Sequence, residues 1–104
     1  MKFRFTFYVP EEDLEKVKQA CFKAGAGRFN LYEQCCWQTL GQGQFKPMEG
    51  SQPFLGKVNE VETVEEYKVE MLCTDEVIQA VISAFKEAHP YEEPAYEVYR
   101  LEDF

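Results

Sequence analysis

Residues 2–9 alternate without a break. Phe3, Phe5, Phe7 and Val9 fall on one side, and Lys2, Arg4, Thr6 and Tyr8 on the other. This period of two belongs to a β-strand, because a helix would scatter the same residues around its circumference. A strand with three phenylalanines on one face needs something to cover that face. The rest of the chain is therefore read for elements that do so.

Pro10 ends the strand and is suited to a first helical position, where a missing N–H costs nothing. Glu11, Glu12 and Asp13 complement the positive end of the helix dipole. Leu14, Val17, Cys21 and Ala24 recur at helical spacing, and Gly25 and Gly27 stop the helix. A second strand is predicted from Leu31 to Leu40, with Cys35, Trp37 and Thr39 on one face and Cys36, Gln38 and Leu40 on the other. Gly41-Gln42-Gly43-Gln44-Phe45 continues it, its glycines indicating a bulge or a close backbone approach. Pro47, Gly50, Pro53 and Gly56 then mark a connection reaching to about residue 60, long enough to suggest a functional or interface-forming loop.

The third strand is predicted over Tyr67–Cys73, with Val69, Met71 and Cys73 inward and Lys68, Glu70 and Leu72 outward. Thr74 is placed as the N-cap of a second helix, with Asp75 and Glu76 in its first turn. Ile78, Val81, Phe85 and Ala88 form the apolar stripe of that helix, which Pro90 ends. Past Pro94, Tyr96, Val98 and Arg100 alternate with Glu97, Tyr99 and Leu101 in a fourth strand. The order β-α-β-β-α-β, with two one-sided helices, predicts a single α/β (α+β) domain over residues 1–104. It is a ferredoxin-like plait with both helices on one face of a four-stranded antiparallel sheet. The other face would show Arg4, Thr6, Tyr8, Lys68, Glu70, Leu72 and part of the last strand. Such a mixed surface suits a partner, and a homo-oligomer, dimer or trimer, is expected.

Charge narrows the partners. Nineteen acidic against eleven basic residues leave a net charge of −8, so a phosphate backbone is repelled and nucleic-acid binding is not expected. The first residues lack the continuous apolar run of a signal peptide, and no stretch is long enough to span a bilayer, which points to the cytoplasm and away from membranes. In that compartment Cys21, Cys35, Cys36 and Cys73 stay reduced. They form no Cys-x-x-Cys, and on a strand Cys35 and Cys36 would face opposite ways. They are read as free cysteines filling core or interface space.

The segment His89-Pro90-Tyr91-Glu92-Glu93-Pro94 resembles the His-Pro-Tyr-Glu-x-Pro motif of the CutA family, which sits after the second helix of the same plait. A longer match runs through Gly25-Ala26-Gly27-Arg28, Tyr32, Cys35, Gly41-x-Gly43-x-Phe45-Lys46-Pro47, Glu49-Gly50 and Pro53-Phe54-x-Gly56. With the His89 segment, it resembles the CutA/PII-like domain inserted in YqfO-type (Nif-family) proteins. One departure is Asn30-Leu31, where the insert usually has Gly-Asn. The resemblance implies that the two-metal site of the full-length proteins lies in their outer domains. With one histidine here that site cannot be rebuilt, so hydrolase or cyclohydrolase activity is not carried over and a free-standing insert domain is expected.

The candidate ligand or partner contacts are Trp37, Gly41, Gly43, Phe45, His89, Tyr91 and Glu92. His89 has two readings: a metal ligand aided by nearby Cys and Glu, or a cation favoured at a helix C-terminus. Glu92 and Glu93 are adjacent and do not make an acid/base pair by themselves. Gly41-x-Gly43 lacks the third glycine of a dinucleotide fingerprint, but lies where PII-like proteins extend their long loop. Either a small-molecule site between loop and neighbouring subunit, or a bulge followed by a surface loop, accounts for it. Trp37, Phe45 and Phe54 either anchor a subunit contact or cap the core. No triad or phosphate loop is visible, and neither an enzyme activity nor a cofactor is expected. The first reading is a non-enzymatic, oligomeric interaction or sensing module. The alternative is a copper- or zinc-binding protein using His89 with Cys35 or Cys36 and Glu92.

Overall fold

A computed structural model describes all 104 residues. β1 (Lys2–Pro10) leads through a single 3-10 turn (Glu11–Asp13) into α1 (Leu14–Lys23). β2 (Trp37–Phe45) and β3 (Glu62–Thr74) follow, then α2 (Ile78–Ala88) and β4 (Tyr96–Leu101). The sheet order is β2-β3-β1-β4 with every pair antiparallel. The predicted plait, with two helices on one face of this sheet, is the observed architecture. No helix is long and apolar enough to cross a membrane.

The alternation of β1 decides the core. Phe5, Phe7 and Val9 have no exposed surface, and Val69, Met71 and Cys73 of β3 lie beside them. Leu14, Val17, Cys21 and Phe22 of α1 and Ile78, Val81 and Phe85 of α2 close over this face. Burial pushes the Cys21 thiol up to about 12 and the Cys73 thiol to about 11. Both are therefore protonated and unreactive, as expected of cysteines filling a core.

Four local expectations are corrected. The second strand starts at Trp37, not Leu31. Its predicted first half is held as a loop, because Gly27 N–H bonds to the Leu72 carbonyl at 2.8 Å while its own carbonyl accepts from Cys35 N–H at 2.8 Å. Gly27 has φ +78, and a Cβ there would lie 2.8 Å from the Cys35 carbonyl oxygen, so the crossing requires glycine. Cys35 and Cys36 thus lie outside the strand, with Cys35 exposed and Cys36 partly buried.

Thr74 does not cap α2. It ends β3, paired with Lys2, and the helix starts after Val77 with no side-chain cap. Gly41 and Gly43 sit opposite Glu66 and Val64 in an unbroken ladder, so the expected bulge is absent. β3 also starts earlier than expected, at Glu62.

The face away from the helices carries Trp37, Thr39, Gly41, Gly43 and Phe45 of β2 beside Glu70, Lys68, Glu66, Val64 and Glu62 of β3. Arg4, Thr6 and Tyr8 of β1 continue it, with Glu97 and Tyr99 of β4 beyond them. Arg4 reaches Glu70 at 3.8 Å, and the Tyr8 hydroxyl donates to Glu97 Oε1 at 3.3 Å. Trp37 is 67% exposed and Tyr99 51% exposed on this face.

Candidate functional site

One end of the sheet is built by the connector after α2. Proline at positions 90 and 94 keeps this stretch out of helix, and His89 at the helix end is already extended, with φ −74 and ψ 136. The His89 side chain turns back under β1 and is 6% exposed. Its Nε2 lies 2.7 Å from the Tyr8 carbonyl, and its Nδ1 lies 3.2 Å from the Tyr91 backbone nitrogen. A carbonyl only accepts and an amide N–H only donates, so the ring is neutral with its proton on Nε2. Burial lowers its pKa below the usual histidine value, against smaller upward pulls from the Tyr8 carbonyl and Asp13.

His89 thus stands at the helix end as expected, but as a neutral ring and not a cation, and a metal would have to displace one of its two hydrogen bonds. Nowhere do three His, Cys, Asp or Glu side chains gather in a metal-holding group. Cys35 and Cys36 sit near the start of β2, beside the segment tied to Gly27, while Glu92 is bound elsewhere.

The 46–61 connection folds against this histidine segment. Its base is closed by Asn59 N–H donating to the Pro47 carbonyl at 2.7 Å. Ser51 Oγ donates to the Met48 carbonyl at 2.7 Å within it. Gln52 N–H donates to Glu92 Oε1 at 3.1 Å, which latches the loop to the connector. Glu92 is thus a positioning residue for the loop.

Between loop, connector and sheet lies a cavity of about 410 Å³ lined by Tyr8, Phe45, Phe54, Glu66, Tyr91 and Glu93, among others. Tyr91 is its central ring, with Phe45 at 6.2 Å, Phe54 at 6.3 Å and His89 at 4.8 Å between centroids. The Glu66 carboxylate enters from β3 beside the Tyr91 hydroxyl. Burial raises the Glu66 pKa, and the hydroxyl beside it pulls the other way. Yet Glu66 Oε2 and Tyr91 Oη are both buried without a hydrogen bond of good distance and angle. Tyr91 is pushed up to about 12 by burial first, then by the negative charges of Glu66 and Asp13, by the hydrogen-bonding proximity of its hydroxyl to the Glu66 carboxylate, and by Glu62.

Gly43 explains how the carboxylate fits. A Cβ there would lie 2.8 Å from Glu66 Cδ and would run into Oε1. The expected close backbone approach is therefore real, and it is made by a carboxylate. Gly43→Ala is expected to swing the flexible end of Glu66 into water while changing stability by less than about 1 kcal/mol. Carbon NMR titration of the Glu66 carboxyl checks this: its raised pKa should return towards the ordinary glutamate value, and an unchanged titration would show that the carboxylate stayed in place.

Of the residues singled out in the sequence, Phe45, Tyr91 and Glu92 meet at this cavity, together with Phe54 and the loop. Gly43 and Gly41 border an adjoining shallow cleft with Tyr8, Glu66, Lys68 and Glu70. Trp37 lies at the far end of β2 opposite Glu70, its indole N–H donating to Thr39 Oγ1 at 3.0 Å. Sequence reasoning missed Glu66 and Tyr8. The only available signal was a glycine within a strand facing an acidic neighbour.

No family model matches the sequence. The chain is 42% identical over 99 residues to the GTP cyclohydrolase 1 type 2 homolog of Bacillus subtilis (strain 168), covering 95% of this chain and 26% of that protein. Among solved structures, it is similar to a Bacillus cereus protein related to NIF3, with TM-score 0.85 and 35% identity over 98% of this chain and 26% of the other. The periplasmic divalent cation tolerance protein CutA from Archaeoglobus fulgidus shares the fold, with TM-score 0.72 and 17% identity over 100% of this chain and 87% of the other. The chain thus spans about a quarter of the length of the curated relatives it matches, 26% or 27%.

Proposed function

We propose that this stretch of chain is the CutA/PII-like module of NIF3-related proteins, and that it acts as a non-enzymatic, self-associating interaction or sensing unit in the cytoplasm. The observation that carries the reading is the sheet itself. Both helices cover one face, while the other shows Trp37, Tyr8 and Tyr99 among charged groups, between two free edge strands, β2 and β4. A mixed face with exposed aromatic rings is suited to burial against a copy of itself. The loop latched through Glu92 adds a cavity near one free edge, where occupancy and assembly would influence each other.

The cyclohydrolase-homolog name belongs to proteins about four times longer than this chain, by the 26% coverage. The fold offers no nucleophile–base pair: the one histidine is neutral and hydrogen-bonded at both ring nitrogens, and the two core thiols are protonated. No such chemistry is proposed for this chain.

Light scattering after size exclusion tests the assembly reading, run with copper, with zinc and with a chelator. A dimer or trimer of unchanged mass in all three is the expected result. A monomer at micromolar concentration overturns the reading. An assembly that forms only with metal overturns its metal-independent form.

A further inference from the structure

We infer that the cavity between the 46–61 loop and the His89–Ala95 connector is a binding site for a small organic cation, an amidinium, guanidinium or ammonium group on a flat apolar body. This deepens the sensing half of the proposed function and rests on it. The cavity volume of about 410 Å³ lies in the range of small-molecule sites. Its walls are aromatic: Tyr91 stands between Phe45 and Phe54, with centroid distances of 6.2 and 6.3 Å. Aromatic faces at such spacing attract a cation and pack against an apolar body.

The charge in the cavity is mainly negative. Glu66, Glu92 and Glu93 line it against a single cation, Lys46. Glu92 already accepts from the loop backbone, which leaves Glu93 and Glu66 to meet a ligand, Glu66 with only the Tyr91 hydroxyl beside it. Glu66 Oε2 is shielded from water with no partner other than the poorly aligned Tyr91 hydroxyl, so a cationic donor would add a hydrogen bond that the carboxylate lacks. An amidinium supplies paired N–H donors in the geometry a carboxylate accepts best. Gly43 keeps the strand clear, so that Glu66 lies along the sheet at the cavity wall. The negative field that holds the Tyr91 proton would favour a cation over a neutral or anionic ligand of the same shape.

The test uses benzamidine as the probe, with benzamide as its neutral counterpart and benzoate as its anionic one. Binding is read from saturable amide shifts in nitrogen–proton NMR, on the wild type and on Glu66→Gln and Phe54→Ala. Phe54 is 58% exposed, so its truncation spares the fold even if the Glu66 variant does not. A probe of this size should bind with a Kd on the order of 1 mM. Benzamide should bind at least about tenfold more weakly, and either substitution should weaken benzamidine by a similar factor.

Equal binding of benzamide and benzamidine overturns the proposal. So does unchanged affinity in Glu66→Gln, or the absence of saturable benzamidine shifts at residues 45, 54, 66 and 91. Oligomeric mass is measured on the same samples. A lost ligand effect with assembly intact therefore condemns the cation site alone, and a monomer condemns the assembly reading instead.

Discussion

Phe5→Ala is expected to destabilise the domain by about 3–5 kcal/mol, the usual cost of removing a fully buried phenylalanine. The Phe5 ring has no exposed surface. It meets Phe85 edge-on at 5.3 Å, Phe7 at 5.7 Å and Tyr96 at 5.9 Å. One side chain of β1 thus joins its own strand to α2 and to β4. Its removal leaves a hole between sheet and helix that neither can fill by a rotamer change, because strand register and helix position are both fixed elsewhere. Chemical denaturation measures the loss. A change below about 1 kcal/mol would mean that the core repacks around the hole, contrary to the packing described here.

His89→Ala should cost about 2–4 kcal/mol, combining a lost buried hydrogen bond with a cavity beside Phe85 and Tyr91. The substitution withdraws the donor to the Tyr8 carbonyl and the acceptor for Tyr91 N–H. The wild-type histidine also gives stability a pH dependence of known sign. Its folded pKa lies below its unfolded value of about 6.5, so the unfolded chain binds more protons between the two. The stabilisation is complete above the unfolded pKa and is lost as pH falls through the folded one. Glu66, with its pKa raised, works in the opposite direction as pH falls through its folded value. The His89 contribution to denaturation midpoints should therefore fall as pH drops below about 6.5, and His89→Ala should remove that contribution. A slope unchanged by the substitution would assign the pH dependence to other groups.

What could be read from the sequence follows from the range of the signals. The Phe3–Val9 alternation and the stripes through Val17–Cys21 and Val81–Phe85 are local patterns, and they placed three elements and most of the core correctly. Residues 31–36 misled because Cys35 and Cys36 suit a strand. Their conformation is set instead by Gly27, which bridges them to Leu72. Thr74 has cap chemistry, yet its pairing with Lys2 holds it in the sheet.

His89 was legible as special but not as neutral, since its partners Tyr8 and Tyr91 settle its protonation and the first lies 81 residues away. Glu66 carried no local mark among nineteen acidic residues. Its role depends on lying beside Gly43 across a strand pair and under Tyr91 from a distant connector.

The unequal lengths of the strands create a gradient along β3. Its residues 66–70 are paired on both sides, whereas 62–65 are paired with β2 alone. The outer part is a two-stranded ribbon, and a ribbon of that kind opens without unfolding the domain. Amide hydrogens at 62–65 and 42–45 should exchange with solvent through local fraying, while those at 67–70 should wait for global unfolding. Phe45 lies on the fraying segment, opposite Glu62, and also forms a wall of the cavity. Anything that fills the cavity would therefore slow exchange along the ribbon, turning local breathing at the sheet end into a readout of occupancy.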